Sequence, residues 1–222
     1  MLRDTTADRD EGLIRISTAE AVLEGNLLIP SQATGVVLFA HGSGSSRFSS
    51  RNRYVAEELR AGNLATLLID LLTHEEEQVD MRTAQLRFDI GLLADRLIGA
   101  IEWLGDEPRT RPLKIGLFGA STGGGAALVA AARRADSVAA VVSRGGRPDL
   151  AGPALPHVKA PTLLIVGGDD IPVIGMNREA YDQMKSVRRL EIVPGASHLF
   201  EEAGTLQEVA RLAREWFQRY LR

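Results

Sequence analysis

The chain contains no cysteine and has no excess of basic residues. The absence of cysteine excludes disulfides, thiolate metal sites and a cysteine nucleophile. Lysine and arginine together number 26, against 29 aspartates and glutamates, and the net charge is -3. A chain with this balance lacks the positive field that holds a polyanion, so we expect no nucleic acid partner.

Long hydrophobic runs are also missing. No stretch approaches the roughly 18 to 20 continuous apolar residues that a membrane span needs, so we expect no membrane partner. The first residues, MLRDTTADRDE, are polar and acidic and contain no apolar segment of the kind found in secretory signals. We therefore expect a cytoplasmic protein in which residues 1–11 are disordered and residues 12–222 form one domain, a length that suits a single α/β domain.

Short apolar runs alternate with amphipathic segments along the chain. This alternation predicts an α/β fold with a mostly parallel, doubly wound sheet. Only four residues, 18–21, separate the first two strands, so these strands should form an antiparallel hairpin at one edge of the sheet. The predicted strands are residues 13–17, 22–29, 36–40, 65–69, 114–118, 138–142, 162–166 and 189–192, and the predicted helices are residues 53–61, 86–104, 124–134, 177–185 and 206–221.

Two long connections remain, residues 71–85 and residues 143–160. The first contains three consecutive acidic residues, Glu75 to Glu77. A short run of like charges is usually a solvated face, so we predict that this run is exposed and assign no site to it.

The segment KIGLFGASTGGGAA, residues 114–127, contains a Gly-x-Ser-x-Gly motif between an apolar strand and a helix of small residues. That context is typical of a nucleophile elbow, a sharp turn in strained backbone geometry that exposes a serine hydroxyl at the carboxyl edge of a sheet. Gly119 and Gly123 flank the serine and let neighbouring backbone pass close by. Ser121 is therefore the predicted nucleophile.

A serine nucleophile needs an imidazole to accept its proton and a carboxylate to orient that imidazole. After such an elbow the acid follows a later strand and the histidine comes near the C-terminus. His198 is the one histidine that fits this order. Asp169 and Asp170 both follow the strand at 162–166; we prefer Asp170 for its spacing between Gly167 and Val173, and Asp169 stays the alternative.

Ester chemistry also needs hydrogen-bond donors for the developing oxyanion. The backbone amide of Thr122 is one expected donor, and the amide of Ser43, in the HGSGSS loop after the strand at 36–40, is the other. The same loop position puts His41 among the predicted substrate-binding residues. We interpret the His41 side chain itself as a loop residue that is hydrogen-bonded to backbone.

Five arginines stand in two loops that leave the carboxyl ends of predicted strands, where ligands bind in such sheets. One or two of them could hold a carboxylate or phosphate of the acyl substrate by a bidentate contact, the alternative being solvated surface arginines. Arg144 is the preferred substrate-binding residue. The five are Arg47, Arg51, Arg53, Arg144 and Arg147.

Taken in order, the segments HGSG, GASTG, GGDD and GASH resemble the α/β-hydrolase family, and within it the compact branch similar to dienelactone hydrolase. The resemblance covers nearly the whole chain. It implies a three-layer α/β-hydrolase sandwich without a large lid domain. Dienelactone hydrolases carry a cysteine nucleophile, whereas position 121 is serine, and this difference favours ordinary ester or acyl chemistry over a dienelactone substrate.

These observations predict a serine hydrolase that cleaves a small carboxylic ester, lactone or thioester through an acyl-enzyme on Ser121. We expect no cofactor and no metal, an anionic small-molecule ester as the substrate, and a monomer or homodimer. The same residues could instead serve an acyltransferase or a perhydrolase, or the fold could be a catalytically silent binding module. A dinucleotide-binding domain is disfavoured because G-x-G-x-x-G is not matched at the first strand-to-helix turn.

Overall fold

The computed structural model describes residues 12–222, and the segment predicted to be disordered, residues 1–11, lies outside the described residues. Eight strands in this part of the chain form one sheet in the order β1-β2-β4-β3-β5-β6-β7-β8. In sequence they are β1 (Gly12–Ser17), β2 (Val22–Leu28), β3 (Gly35–Ala40), β4 (Ala65–Ile69), β5 (Lys114–Ala120), β6 (Val138–Arg144), β7 (Thr162–Gly167) and β8 (Arg188–Val193).

The sheet is parallel from β4 to β8 and antiparallel at its N-terminal edge. Strands β1 and β2 form the predicted hairpin, in which Gly12 pairs with Leu27 and Ser17 pairs with Val22. Strand β2 then pairs antiparallel with β4. The prediction of a mostly parallel sheet with an edge hairpin is confirmed.

Helices cover both faces of the sheet, because the side chains of each central strand alternate between two cores. Val36 and Leu38 of β3 lie in one core, and Val37 and Phe39 lie in the other. Helices α1 and α6 pack on the second core, and α3 and α4 pack on the first. The helices are α1 (Ser50–Ala61), α2 (His74–Thr83), α3 (Ile90–Asp106), α4 (Thr122–Arg133), α5 (Ile171–Gln183) and α6 (Thr205–Tyr220), with 3₁₀ segments at Leu86–Phe88 and Pro148–His157. None of the helices within residues 12–222 is long and apolar enough to cross a bilayer.

Helix α2 lies where the sequence predicts a long loop. Thr73 caps its first turn: the Thr73 hydroxyl accepts a hydrogen bond from the Glu76 amide at 3.2 Å, and the Glu76 carboxylate accepts one from the Thr73 amide at 2.8 Å. This reciprocal capping box has the sequence signature Thr-x-x-Glu, which could have revealed the helix. The prediction that the acidic run is solvated is wrong for Glu76, which also pairs with the buried Arg96 at 2.6 Å.

Helix α5 starts six residues before its predicted start, directly after Asp170. Pro172 is tolerated there because the first turn of a helix leaves its amide groups without intrahelical partners. The predicted helix from residue 86 is divided in the structure, since α3 begins at Ile90 and is capped by the Asp89 side chain on the Leu92 amide at 3.0 Å.

Two glycines allow loops at the carboxyl edge of the sheet to touch through their backbones. A Cβ on Gly123, at the start of α4, would overlap the carbonyl oxygens of Ala40, the last residue of β3, and His41, the residue after it. A Cβ on Gly167, at the end of β7, would overlap those of Ala196 and Ser197, in the loop after β8. No side chain other than hydrogen fits at either contact.

We therefore expect Gly167→Ala to force the loops after β7 and β8 apart, at a cost of about 1–3 kcal/mol in the free energy of unfolding. Gly175, in the interior of α5, has no neighbour within 4 Å of an added Cβ. Gly175→Ala should thus stabilise the protein by about 0.5–1 kcal/mol, because alanine loses less backbone entropy in a helix. Denaturant unfolding of both variants provides the measurement, and equal effects would contradict the contact at Gly167.

Candidate active site

Ser121 stands on a strained turn between β5 and α4. Its backbone angles are φ 51° and ψ -122°, which is unusual for a residue other than glycine. The amides of Gly124 and Arg147 donate hydrogen bonds to the Ser121 carbonyl at 2.9 and 3.0 Å, and the Ser121 amide donates to the Arg144 carbonyl at 3.3 Å. The strained strand-to-helix turn predicted from the sequence is present, and contacts from the loop after β6 hold it.

His198 and Asp170 are directly hydrogen-bonded. Nδ1 of His198 donates to Oδ2 of Asp170 at 2.6 Å, which leaves Nε2 free to accept a proton. The Asp170 side chain is 12% exposed and the His198 side chain is 38% exposed. Asp169, by contrast, is exposed and contacts the loop before His198 through its backbone amide, which donates to Ala196. The predicted contact between Asp170 and His198 is therefore present.

A cavity of about 240 Å³, here called the histidine-side cavity, brings several of the predicted residues together, although Asp170, Thr122 and His41 are not in its lining. Its lining includes Ser43, Ser121 and His198 and two of the candidate arginines, Arg51 and Arg144. No hydrogen bond joins Ser121 to His198 within the described residues. Such bonds are often loose before substrate binds, so their absence does not argue against a shared function.

The loop after β3, residues 41–47, carries the predicted oxyanion donor Ser43. Nδ1 of His41 donates to the Gly42 carbonyl at 2.9 Å, and Nε2 accepts from the Leu71 amide at 3.1 Å. Burial lowers the pKa of His41, which keeps the imidazole neutral and suited to both bonds. Because backbone groups occupy both ring nitrogens, the His41 side chain anchors the loop, as the sequence interpretation expects for it.

The other end of this loop is anchored by charge. The Arg47 amide donates to Asp70 at 2.7 Å, its guanidinium pairs with the same carboxylate, and Glu24 of β2 accepts from it at 2.7 Å. Arg147 is also paired, with Asp149 at 2.7 Å. These two of the five candidate arginines therefore have carboxylate partners in their own surroundings.

Arg144 differs from both. It is 5% exposed, and its Nη2 donates to the amide oxygen of Asn52 at 3.2 Å. Within the described residues it has no carboxylate partner, and its Nε is buried without any hydrogen-bond acceptor. Burial and the nearby charge of Arg51 lower the pKa of Arg144 to about 10, so it stays protonated at neutral pH. A buried guanidinium with a neutral partner beside Ser121 is suited to receive an anion.

Two neighbours of Arg144 complete this side of the site: Arg51, which is one of the five arginines named from the sequence, and Asn52, which was not predicted from the sequence. Arg51, whose side chain is 33% exposed, pairs with the exposed Glu201 at 3.3 Å and lines the histidine-side cavity. Asn52, which is 2% exposed, positions Arg144. Ser49 caps α1 by accepting from the Asn52 amide at 3.3 Å, and this serine is the sequence signal that could have placed both residues in a first helical turn.

Within residues 12–222, no group of three or more histidine, aspartate and glutamate side chains has the arrangement of a metal site. Thr122, the other predicted oxyanion residue, is 3% exposed at the start of α4. The positions of Ser43, Thr122 and Ser121 at one edge of the sheet suit the chemistry of a carbonyl group.

Comparison with known proteins shows relatives along nearly the whole chain. The sequence profile of the Dienelactone hydrolase family matches residues 23–222. A crystal structure of dienelactone hydrolase from Anabaena variabilis is 68% identical, has a TM-score of 0.93, and aligns over 95% of this chain and 97% of its own. An alpha-beta serine hydrolase homologue from Coxiella burnetii, 18% identical with a TM-score of 0.75, aligns over 97% of this chain and 99% of its own and shares the fold.

A curated relative from Mycobacterium tuberculosis bears the name "Putative phosphoribosyl transferase". It is 54% identical over 217 residues, which make up 96% of this chain and 48% of the relative. This chain therefore spans about half the length of the curated relatives that it matches.

Proposed function

The chain belongs to the dienelactone hydrolase family, and from that premise we propose that it is a serine hydrolase that cleaves a small carboxylic ester, lactone or thioester through an acyl-enzyme on Ser121. The observation that carries this proposal is the hydrogen bond of 2.6 Å between His198 and Asp170, at a cavity that Ser121 also lines. An α/β-hydrolase fold alone supports a hydrolase, and these three side chains support the finer statement.

In the first step Oγ of Ser121 attacks the carbonyl carbon while Nε2 of His198 takes the hydroxyl proton. Asp170 stabilises the imidazolium and fixes its tautomer, since it accepts the Nδ1 proton. The amides of Ser43 and Thr122 donate to the oxyanion of the tetrahedral intermediate. As the intermediate collapses, His198 returns the proton to the leaving oxygen or sulfur, and the acyl group stays on Ser121.

In the second step a water molecule attacks the acyl-enzyme, with His198 as the base, and the carboxylic acid leaves. The 38% exposure of the His198 side chain favours this hydrolysis over transfer of the acyl group to another acceptor, because water reaches the imidazole readily. An acyltransferase or a perhydrolase would need a drier site than this one.

The positive charge of Arg144 supports an anionic substrate. Arg144 is already desolvated next to Ser121, and its partners are neutral: the Asn52 amide and the Phe200 ring, whose centroid is 5.8 Å from the guanidinium carbon. An anion in the histidine-side cavity would gain a charge-assisted hydrogen bond from it. We therefore propose Arg144 as the substrate-binding cation of this enzyme.

The mycobacterial relative named as a putative phosphoribosyl transferase is about twice as long as the part that aligns with this chain. The 217 aligned residues coincide with the hydrolase-like part, which is this chain. We propose that phosphoribosyl transfer, if that relative carries it out, belongs to the half that this chain does not match.

We expect Ser121→Ala to abolish labelling of the intact protein by a fluorophosphonate probe and to lower turnover of a short acyl ester by about 10³-fold or more, because the nucleophile is lost. Mass spectrometry locates the label. Ser137→Ala, an exposed serine before β6, is the matched control and should keep both properties. Undiminished turnover by Ser121→Ala would contradict the assignment.

Asp170→Asn should lower turnover by about 10²-fold or more, because an asparagine favours the wrong tautomer of His198. Asp169→Asn removes one carboxylate from the same loop at an exposed position and should retain nearly full turnover. Steady-state kinetics of the two variants compares them directly. A larger loss in Asp169→Asn would mean that the other carboxylate orients the histidine.

Arg144→Ala should raise KM for an anionic ester far more than for its neutral isostere, since the charge-assisted bond contributes about 1.5–3 kcal/mol, or roughly 10- to 100-fold. Added salt should narrow the difference between the two substrates in the wild-type protein. Equal losses on both substrates would show that Arg144 does not recognise charge.

A further inference from the structure

A second cavity of about 270 Å³ adjoins the loop at residues 41–47 on its other side. It lies between this loop, helix α2 and the start of α3, and we call it the α2 cavity. Thr122 and Ser43 line it, whereas Ser121 and His198 do not. Gly42, Ser43 and Ser45 line both cavities, so the two spaces meet at the proposed oxyanion donors.

The position of His198 determines which part of an ester lies in the histidine-side cavity and which part lies in the α2 cavity. An ester carbonyl carbon carries the acyl chain on one side and the leaving oxygen on the other, with its own oxygen held at the amide donors. His198 has to protonate the leaving oxygen, so the leaving group must lie on the side where His198 stands. The acyl chain then points away from His198, toward the α2 cavity.

We propose that the α2 cavity is the acyl subsite and that it takes a short, neutral acyl group, an inference that rests on the proposed hydrolase function. Its apolar walls are Leu71, Met81 and Leu93. Leu93 of α3 is 2% exposed and forms a fixed wall, and Met81 of α2 is 68% exposed and stands at the outer side. The volume and the fixed wall limit the length of the acyl chain.

The charges of the α2 cavity disfavour an anionic acyl group. Asp70, Glu77 and Asp80 line it. Asp70 is paired with Arg47, and Asp80 accepts from Nε of Arg87 at 2.5 Å, which leaves Glu77 as the carboxylate of the lining without a cation in the cavity. The histidine-side cavity has Arg51 and Arg144 in its lining and no carboxylate. Negative charge in the substrate therefore belongs on the leaving group and not on the acyl group.

The acyl-length test uses phenyl acetate, phenyl butyrate and phenyl hexanoate, with 3-carboxyphenyl acetate as the ester with an anionic leaving group. Met81→Trp should lower the kcat/KM ratio of butyrate to acetate by about 10-fold or more, because a larger wall excludes added methylenes. It should leave the ratio of phenyl acetate to 3-carboxyphenyl acetate unchanged. Met176→Trp, on α5 and outside both cavities, is the matched control and should change neither ratio.

Decay of the acyl-enzyme, followed by mass spectrometry in single turnovers, isolates the acyl subsite because the leaving group has already departed. Met81→Trp should change the decay of the butyryl-enzyme relative to the acetyl-enzyme. Leu93→Ala enlarges the same cavity and should extend turnover toward phenyl hexanoate, with thermal unfolding as the check on its fold. A Met81→Trp variant that alters leaving-group preference, or neither preference, overturns the proposal.

The charge test compares the phenyl half-ester of succinic acid with phenyl butyrate. We expect kcat/KM for the succinyl ester to be lower by about 10-fold. Glu77→Gln should narrow this difference, because Glu77 is exposed and has no cation in the α2 cavity to offset its charge. Faster turnover of the succinyl ester would refute the neutral acyl group. Absence of any acyl-enzyme on Ser121 with every ester would instead refute the hydrolase function itself, and the acyl subsite with it.

Discussion

The candidate site depends on backbone-to-backbone packing at the carboxyl edge of the sheet. At Gly123 the elbow touches the loop after β3, and at Gly167 the loop after β7 touches the one that carries His198. Gly119 makes the third such contact, since a Cβ there would lie 2.5 Å from the Gly123 carbonyl oxygen. Side chains can adjust their rotamers, but backbone contacts of this kind leave little freedom. The elbow that carries Ser121 and the pair of loops that carry Asp170 and His198 are therefore each held by backbone contacts.

Arg144 connects the geometry of the site to its charge. Its carbonyl accepts the Ser121 amide, so the backbone of Arg144 supports the strained turn. Its guanidinium lies in the cavity beside Ser121 and is almost completely buried. Burying a charge that has only neutral partners destabilises the folded state, and the protein already carries this free-energy penalty without a ligand. An anion that binds there has less desolvation of the protein to overcome.

The sequence predicts those elements correctly whose residue pattern is compatible with only one secondary structure. The central strands are buried on both faces, so their apolar runs fixed them well, and β4 has the predicted bounds of Ala65–Ile69. Helix α2 was missed because its residues are mostly polar, and only its capping box marked it. Neighbouring Asp169 and Asp170 have the same composition around them, so the sequence could rank them only by spacing. The structure separates them by burial: Asp169 is exposed, whereas the Asp170 side chain, directly before α5, is largely buried against His198.

The loop at residues 41–47 is the wall that the two cavities share, and hydrogen bonds hold it at both ends. His41 binds it to the Leu71 amide, and Arg47 binds it to Asp70 and Glu24. Two adjacent residues after β4, Asp70 and Leu71, therefore hold the two ends of the loop that carries Ser43. In the proposed acyl subsite the outer wall is helix α2, in which Glu76 pairs with Arg96 and Asp80 pairs with Arg87. Exposed helices held by ion pairs open at lower free energy than the core, so under the proposed function α2 is the element that would set acyl selectivity while the loop with Ser43 stays in place.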